Sequence, residues 1–128
     1  MKLLLDTNIL LWAAAGDNRL TRDALDLLND QGNTLMFSAA SLWEIAIKRG
    51  LGRDDFQVDP VRLYGGLLEN GYLELPVSGA HALRIGALPA LHKDPFDRML
   101  LAQALCERMT LVTGERIMSK YPVQVICV

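Results

Sequence analysis

The chain alternates short apolar runs with longer segments whose apolar residues recur at helical spacing. Five runs bounded by turn residues predict strands: KLLL over 2–5, TLMF over 34–37, YLELP over 72–76, TLVT over 110–113 and QVICV over 124–128. Between them lie helical patterns with start signals. NILLWAAA follows Asp6 and Thr7, Thr21 can cap RDALDLLNDQ, and Ser38 or Ser41 can start LWEIAIKRG. Asp59-Pro60 sets an N-cap with proline in the first turn, Ser78 precedes GAHALRIGAL, and Asp94-Pro95 precedes FDRMLLAQALCERM. Strands separated by helices in this way predict an α/β fold with a mostly parallel sheet and helices on both faces, and ligands collect at the carboxyl ends of such strands.

Length and composition narrow the picture. At 128 residues the chain is expected to form a single domain over 1–128. Its hydrophobic fraction is 51% before ten glycines are counted, above the roughly 45–50% usual for soluble domains, which leaves apolar surface for a partner. No apolar stretch approaches the roughly 18 to 20 residues that span a bilayer, so no membrane is expected. The opening MKLLLDTNILLWAAAG has the outline of a signal peptide, but Asp6-Thr7-Asn8 splits its apolar run. Cys106 and Cys127 make neither a metal spacing nor a disulfide framework, which fits a cytoplasmic setting. A net charge of −2 does not advertise nucleic-acid binding, although Lys48, Arg49 and Arg53, and Lys93 and Arg98, form local basic clusters.

The candidate chemistry lies in the carboxylates, each of which also has a structural reading. Asp6 ends a strand and starts a helix, where Asp6 or Thr7 can cap. Glu44 completes a capping-box spacing with Ser41, or, if the helix starts at Ser38, is an acid nearly two turns in with no capping role. In HKDPFDR, helix-start chemistry accounts for Asp94 as the cap and only partly for Asp97. Glu115 follows LVTG, where a carboxylate in a first turn is ordinary, and Thr113 can cap there or bond a neighbouring carboxylate. His92 can contact a phosphate or serve its own loop, and His81, inside a helical pattern, reads as structural. Trp12, Trp43, Leu42, Ile45, Ile47 and Leu51 read first as core.

Together the acids say more. Asp6, Glu44, Asp97 and Glu115 all fall in elements that leave the same edge of the expected sheet. Gathered carboxylates raise one another's pKa, and a hard divalent cation relieves that repulsion; oxygen ligands favour Mg²⁺ or Mn²⁺ over zinc. Such a site suits phosphodiester hydrolysis. GLGRDD lacks the third glycine of a dinucleotide loop and follows a helix, and there is no Walker sequence, so no nucleotide cofactor is expected.

These residues resemble a known family. LLLDTNILLWA, SAASLWEIAIKRG, HKDPFDRMLLAQA and LVTGE, in that order from about residue 2 to the C-terminus, look like a PIN-domain ribonuclease of the VapC type, the toxin of a toxin–antitoxin pair. The resemblance implies a three-layer α/β/α PIN-like domain that cuts RNA with Mg²⁺ or Mn²⁺. It places Asp6, Glu44, Asp97 and Glu115 as catalytic residues, with Asp6, Asp97 and Glu44 on the metal and Asp94, Thr113 and His92 as secondary candidates. It further implies a homodimer and a cognate antitoxin that lays an apolar segment along the toxin. The departure is at the fourth acid: the family usually carries Asp where this chain has Glu115, and one extra methylene moves the carboxylate by about 1 Å. Two other classes remain open. A non-catalytic module on the same fold would act through an apolar groove, whereas a haloacid-dehalogenase-type phosphatase would need a second Asp where this chain has Asn8.

Overall fold

The computed structural model describes residues 1–128. Five strands form one sheet: β1 Lys2–Leu5, β2 Thr34–Ser38, β3 Leu73–Leu75, β4 Thr110–Thr113 and β5 Val125–Cys127, in the spatial order β3-β2-β1-β4-β5. Every pairing is parallel, so the expected mostly parallel sheet is wholly so; Leu4 lies opposite Met36 on one side and Leu111 on the other. The chain leaves β1 toward β2 and β3, then returns to place β4 on the other flank of β1. The order therefore reverses between β1 and β4, which is where open α/β sheets form their crevice.

Side-chain alternation along the strands divides the core into two layers. Leu3 and Leu5 of β1, Phe37 and Val112 face one side, under α1 (Thr7–Ala15), α2 (Arg22–Asn29), α3 (Ala39–Gly50) and α4 (Pro60–Glu69). Leu4, Leu75 and Leu111 face the other, against Leu100, Leu101 and Ala104 of α6 (Pro95–Glu107), with Ile85 of α5 (Gly79–Ile85) packed on the same layer. Each fully buried leucine contributes roughly 1.5–3 kcal/mol, which makes β1, buried on both faces, the centre of the fold. The result is the expected three-layer α/β/α arrangement.

Each helix starts on a polar cap. Asp6, Thr21, Ser38, Asp59, Ser78 and Asp94 accept hydrogen bonds from backbone N–H groups of the first turn, each typically worth about 1 kcal/mol. Ser38, not Ser41, starts α3, so Glu44 stands in its second turn without a capping role. The segment after Glu115 is a 3-10 turn, Arg116–Lys120, in which Glu115 makes no side-chain cap bond. β3 is shorter than the expected 72–76, and α5 ends at Ile85. His81 is structural as read: Ser78 N donates to its Nδ1 (3.0 Å), and its Nε2 pairs with Glu107 (2.8 Å), tying α5 to α6.

The expected core set on α3 needs correction. Ile45 is fully buried, but Trp43, Ile47 and Leu51 are exposed at 65%, 43% and 65%. Their four-residue spacing places all three on one stripe of the helix, while Ala40, Ser41, Glu44 and Ile45 face inward. No helix is long and apolar enough to cross a membrane.

The C-cap of α6 generates a prediction. Arg108 closes the helix in the left-handed region at φ 55°, where an L side chain is strained and glycine is not. Arg108→Gly is expected to raise unfolding stability by about 0.5–1 kcal/mol in urea denaturation, the unfolded-state entropy of glycine offsetting part of the relief.

Candidate active site

Local chemistry places Asp6 at the crevice. Its backbone N–H continues the β1–β4 pairing by donating to Val112 O (3.0 Å), and the chain then turns directly into α1. The two carboxylate oxygens divide the work: Oδ1 accepts from Ile9 N (2.9 Å) as the helix cap, and Oδ2 accepts from the buried hydroxyl of Thr113 at the end of β4. Thr113 Oγ1 in turn accepts from Glu115 N (3.0 Å), so one threonine orients both the first and the last acid of the site.

Asp97 arrives from α6. Asp94 Oδ1 accepts from the N–H groups of Phe96 (2.8 Å) and Asp97 (3.1 Å), which matches its reading as the cap and sets the first turn that carries Asp97 into the crevice. Asp97 Oδ2 is 2.8 Å from His92 Nε2, and the same nitrogen is 3.2 Å from Glu115 Oε2. One ligand atom from each of His92, Asp97 and Glu115 lies within 4.8 Å of the others, a spacing that a metal ion can bridge.

Glu44 lies beside this group and is already engaged. Thr7 Oγ1 donates to its Oε1 (2.6 Å), and Lys48 pairs with Oε2 (3.0 Å) one helical turn away. Thr7 also bonds Ser41 Oγ (2.9 Å), and since Thr7 directly follows Asp6, the N-cap of α1, it ties Glu44 to the start of that helix. The tertiary structure thus gathers Asp97, Glu115 and His92, with Asp6 near enough for its charge to act on Asp97 and Glu44 on the flank.

The electrostatics follow from burial. Desolvation raises the pKa of Asp6; the Thr113 hydroxyl and Ile9 N–H oppose the shift, while the charges of Glu115 and Glu44 add to it. Asp97 is pushed up to about 7, chiefly by desolvation; His92 opposes the shift, and the charges of Asp94, Glu115 and Asp6 reinforce it. No lysine or arginine pairs with Asp6, Asp97 or Glu115. The cluster is therefore an unneutralised concentration of carboxylates.

Several contributors carry little sequence signal. Half-buried Arg98 and buried Tyr121 form a clamp around the His92 loop, although Arg98 reads along the chain as an ordinary charge and Tyr121 follows no motif. Thr7 reads as a cap, yet its hydroxyl serves Glu44 37 positions away. The one hint at Arg98 is its place in the HKDPFDR run.

The raised carboxyl sets a pH dependence. Between the ordinary aspartate value of 3.8 and about 7, folded Asp97 holds a proton that the unfolded chain has lost. Stability is then fully present below the lower value and is lost as pH rises toward the upper one, with a slope of at most about 1.4 kcal/mol per pH unit from this group. Thermal melts of metal-free protein are expected to show Tm falling from pH 5 to pH 8. Asp97→Asn should flatten that slope and melt above the parent at pH 8.

Comparison with known proteins agrees with this architecture. Solved structures with the same fold include VapBC2 from Rickettsia felis bound to a promoter DNA fragment, with a TM-score of 0.73 at 19% identity over 99% of this chain and 98% of that one. A toxin–antitoxin complex from Klebsiella pneumoniae matches with a TM-score of 0.63 at 23% identity over 97% and 95% of the two chains. DNA-bound VapBC from Salmonella typhimurium matches with a TM-score of 0.65 at 16% identity over 99% and 98%. No curated protein sequence matches. The family model described as the PIN domain covers residues 3–124, which takes in most of β1, all of β2, β3 and β4 and every acid of the crevice and stops just before β5, and on that match the chain belongs to the PIN domain family.

Proposed function

We propose that this chain is a metal-dependent endoribonuclease, the VapC-type toxin of a toxin–antitoxin pair, acting as one cytoplasmic domain over residues 1–128. The observation that carries the reading is the grouping of Asp97 from α6 with Glu115 and His92 within 4.8 Å, close enough to Asp6 at the end of β1 for the charges to act on one another, with no lysine or arginine to neutralise these acids. Membership of the PIN domain family supports it, because PIN nucleases generally use divalent metals.

The residues present fit a hard divalent cation. Asp97 and Glu115 offer carboxylate oxygens beside the His92 imidazole, all within 4.8 Å of one another, and the raised carboxyls of Asp6 and Asp97 are what an added positive charge would bring back down. Asp6 and Asp97 would hold Mg²⁺ or Mn²⁺, with Glu115 assisting. When bound, such an ion supplies Lewis-acid polarisation of a phosphoryl oxygen and lowers the pKa of water. Thr113 orients Asp6, Asp94 sets the turn that presents Asp97, and Glu44 would ligate the ion or activate water on exchanging its contact with Lys48.

Two surface recesses support the partner side of the reading. A groove of about 800 Å³ runs between α1, α2 and α4 and is of mixed character, with Leu28, Leu63 and Tyr72 beside Asn29, Asp59 and Arg62, so an antitoxin segment seated there would need polar groups as well as apolar ones. A smaller apolar recess of about 340 Å³ is capped by the edge-to-face pair Trp43 and Phe96, and is a surface that a second copy in a homodimer would cover. The structural neighbours are complexes of this class, which is the basis for naming an antitoxin as the partner.

The test is cleavage of a mixed pool of transfer and ribosomal RNA by protein freed of any partner, with Mg²⁺, Mn²⁺ or EDTA. Cutting should need the metal. Asp6→Asn and Asp97→Asn should each lower the rate at least about 100-fold, as the loss of several kcal/mol of charge stabilisation implies. Since Asp97→Asn is expected to fold at least as well as the parent, full activity in that variant would refute the assignment. Equal inertness of parent and variants would favour a binding module instead.

A further inference from the structure

The connection between α5 and α6 belongs to no helix or strand, yet it is fixed at several points. Arg98 Nη2 donates to Ile85 O (3.2 Å), and its Nη1 donates to Pro89 O (2.9 Å) and to the Tyr121 hydroxyl (3.3 Å). That hydroxyl, 4% exposed as a residue, accepts from the backbone N–H groups of Leu91 (3.2 Å) and His92 (2.8 Å). Tyr121 ends the 3-10 turn whose start is Glu115. The turn therefore grips the histidine loop twice: Tyr121 holds the His92 backbone, and Glu115 meets its ring.

Glu115 needs that second contact. Its side chain is 40% exposed, and His92 Nε2 is its one side-chain partner. A glutamate has one more rotatable bond than an aspartate, so holding it in place costs more conformational entropy. Carboxyl oxygens of Asp97 and Glu115 lie 2.8 Å and 3.2 Å from the one nitrogen Nε2, so a proton on that nitrogen would be shared between the two acids.

We propose that His92, clamped by Arg98 and Tyr121, is the positioning residue that draws Glu115 in to Asp97 and so makes this longer acid part of the cation site. The inference rests on the metal-site reading above for its effect on affinity, but the His92–Glu115 pairing is a property of the protein without metal. Hydrogen-bond partners of metal ligands typically change affinity about 10- to 100-fold when removed.

The experiment is calorimetric titration of the full chain with Mn²⁺, for the parent, His92→Ala, His92→Gln, Glu115→Ala, the His92→Ala/Glu115→Ala double variant and Tyr121→Phe, each checked by thermal melt. His92→Ala should weaken Mn²⁺ binding about tenfold or more, and the double variant should be no weaker than Glu115→Ala within about twofold. His92→Gln keeps an N–H donor near the same place and should recover most of the loss; Tyr121→Phe should shift affinity in the same direction as His92→Ala. Independent, multiplying effects of the two alanine variants would overturn the proposal, as would His92→Ala binding as tightly as the parent. If the parent takes up no Mn²⁺, the metal reading falls, and the ¹⁵N signal of His92 Nε2 in metal-free protein decides the pairing. Its displacement by Glu115→Ala supports the pairing, and an unmoved signal overturns it.

Discussion

The site depends on the parallel pairing of β1 with β4. That pairing extends one residue past β1 through the Asp6 N–H to Val112 O, which places Asp6 next to the end of β4 and lets Thr113 reach its carboxylate. Because β1 is buried on both faces, a slip of register would turn every leucine of the strand to the wrong layer. The same hydrophobic constraint that centres the fold therefore also fixes the first acid.

The cluster is costly to the fold. Desolvation and mutual charge raise both Asp6 and Asp97, and no cationic lysine or arginine relieves either. What keeps the arrangement in place is local: Asp94 fixes the start of α6, Thr113 bonds Asp6, and the Arg98–Tyr121 clamp steadies the loop beside Asp97. Glu44 follows the opposite strategy, with both oxygens satisfied by Thr7 and Lys48. Acids adjacent in space are thus held differently, some poised for an added charge and one already neutralised.

Much of this was legible along the chain. The helix starts at Thr21, Asp59, Ser78 and Asp94 could be read because a cap and the N–H groups it serves lie within three residues. Asp6 offered a choice between capping and site chemistry, and the structure shows its two oxygens turned to different partners. The choice between Ser38 and Ser41 was not decidable from spacing. It went to Ser38 because β2 runs straight into the helix and leaves no room for a linker. Trp43, Ile47 and Leu51 were misplaced because hydrophobicity says that a side chain avoids water and not which stripe of its helix faces the sheet.

By itself the sequence determined the elements, most of their caps, the α/β class and the acids Asp6 and Glu115 just past strand ends, since those signals act between near neighbours in the chain. Only the tertiary structure decided the β3-β2-β1-β4-β5 order, the saturation of Glu44 by Thr7 and Lys48, and the convergence of His92, Asp97 and Glu115. Those outcomes rest on contacts between residues far apart in the chain. Asp6 and Thr113 are separated by 107 positions, and nothing local to either one specifies the other; the sheet brings them together by burying the leucines between two layers of helices.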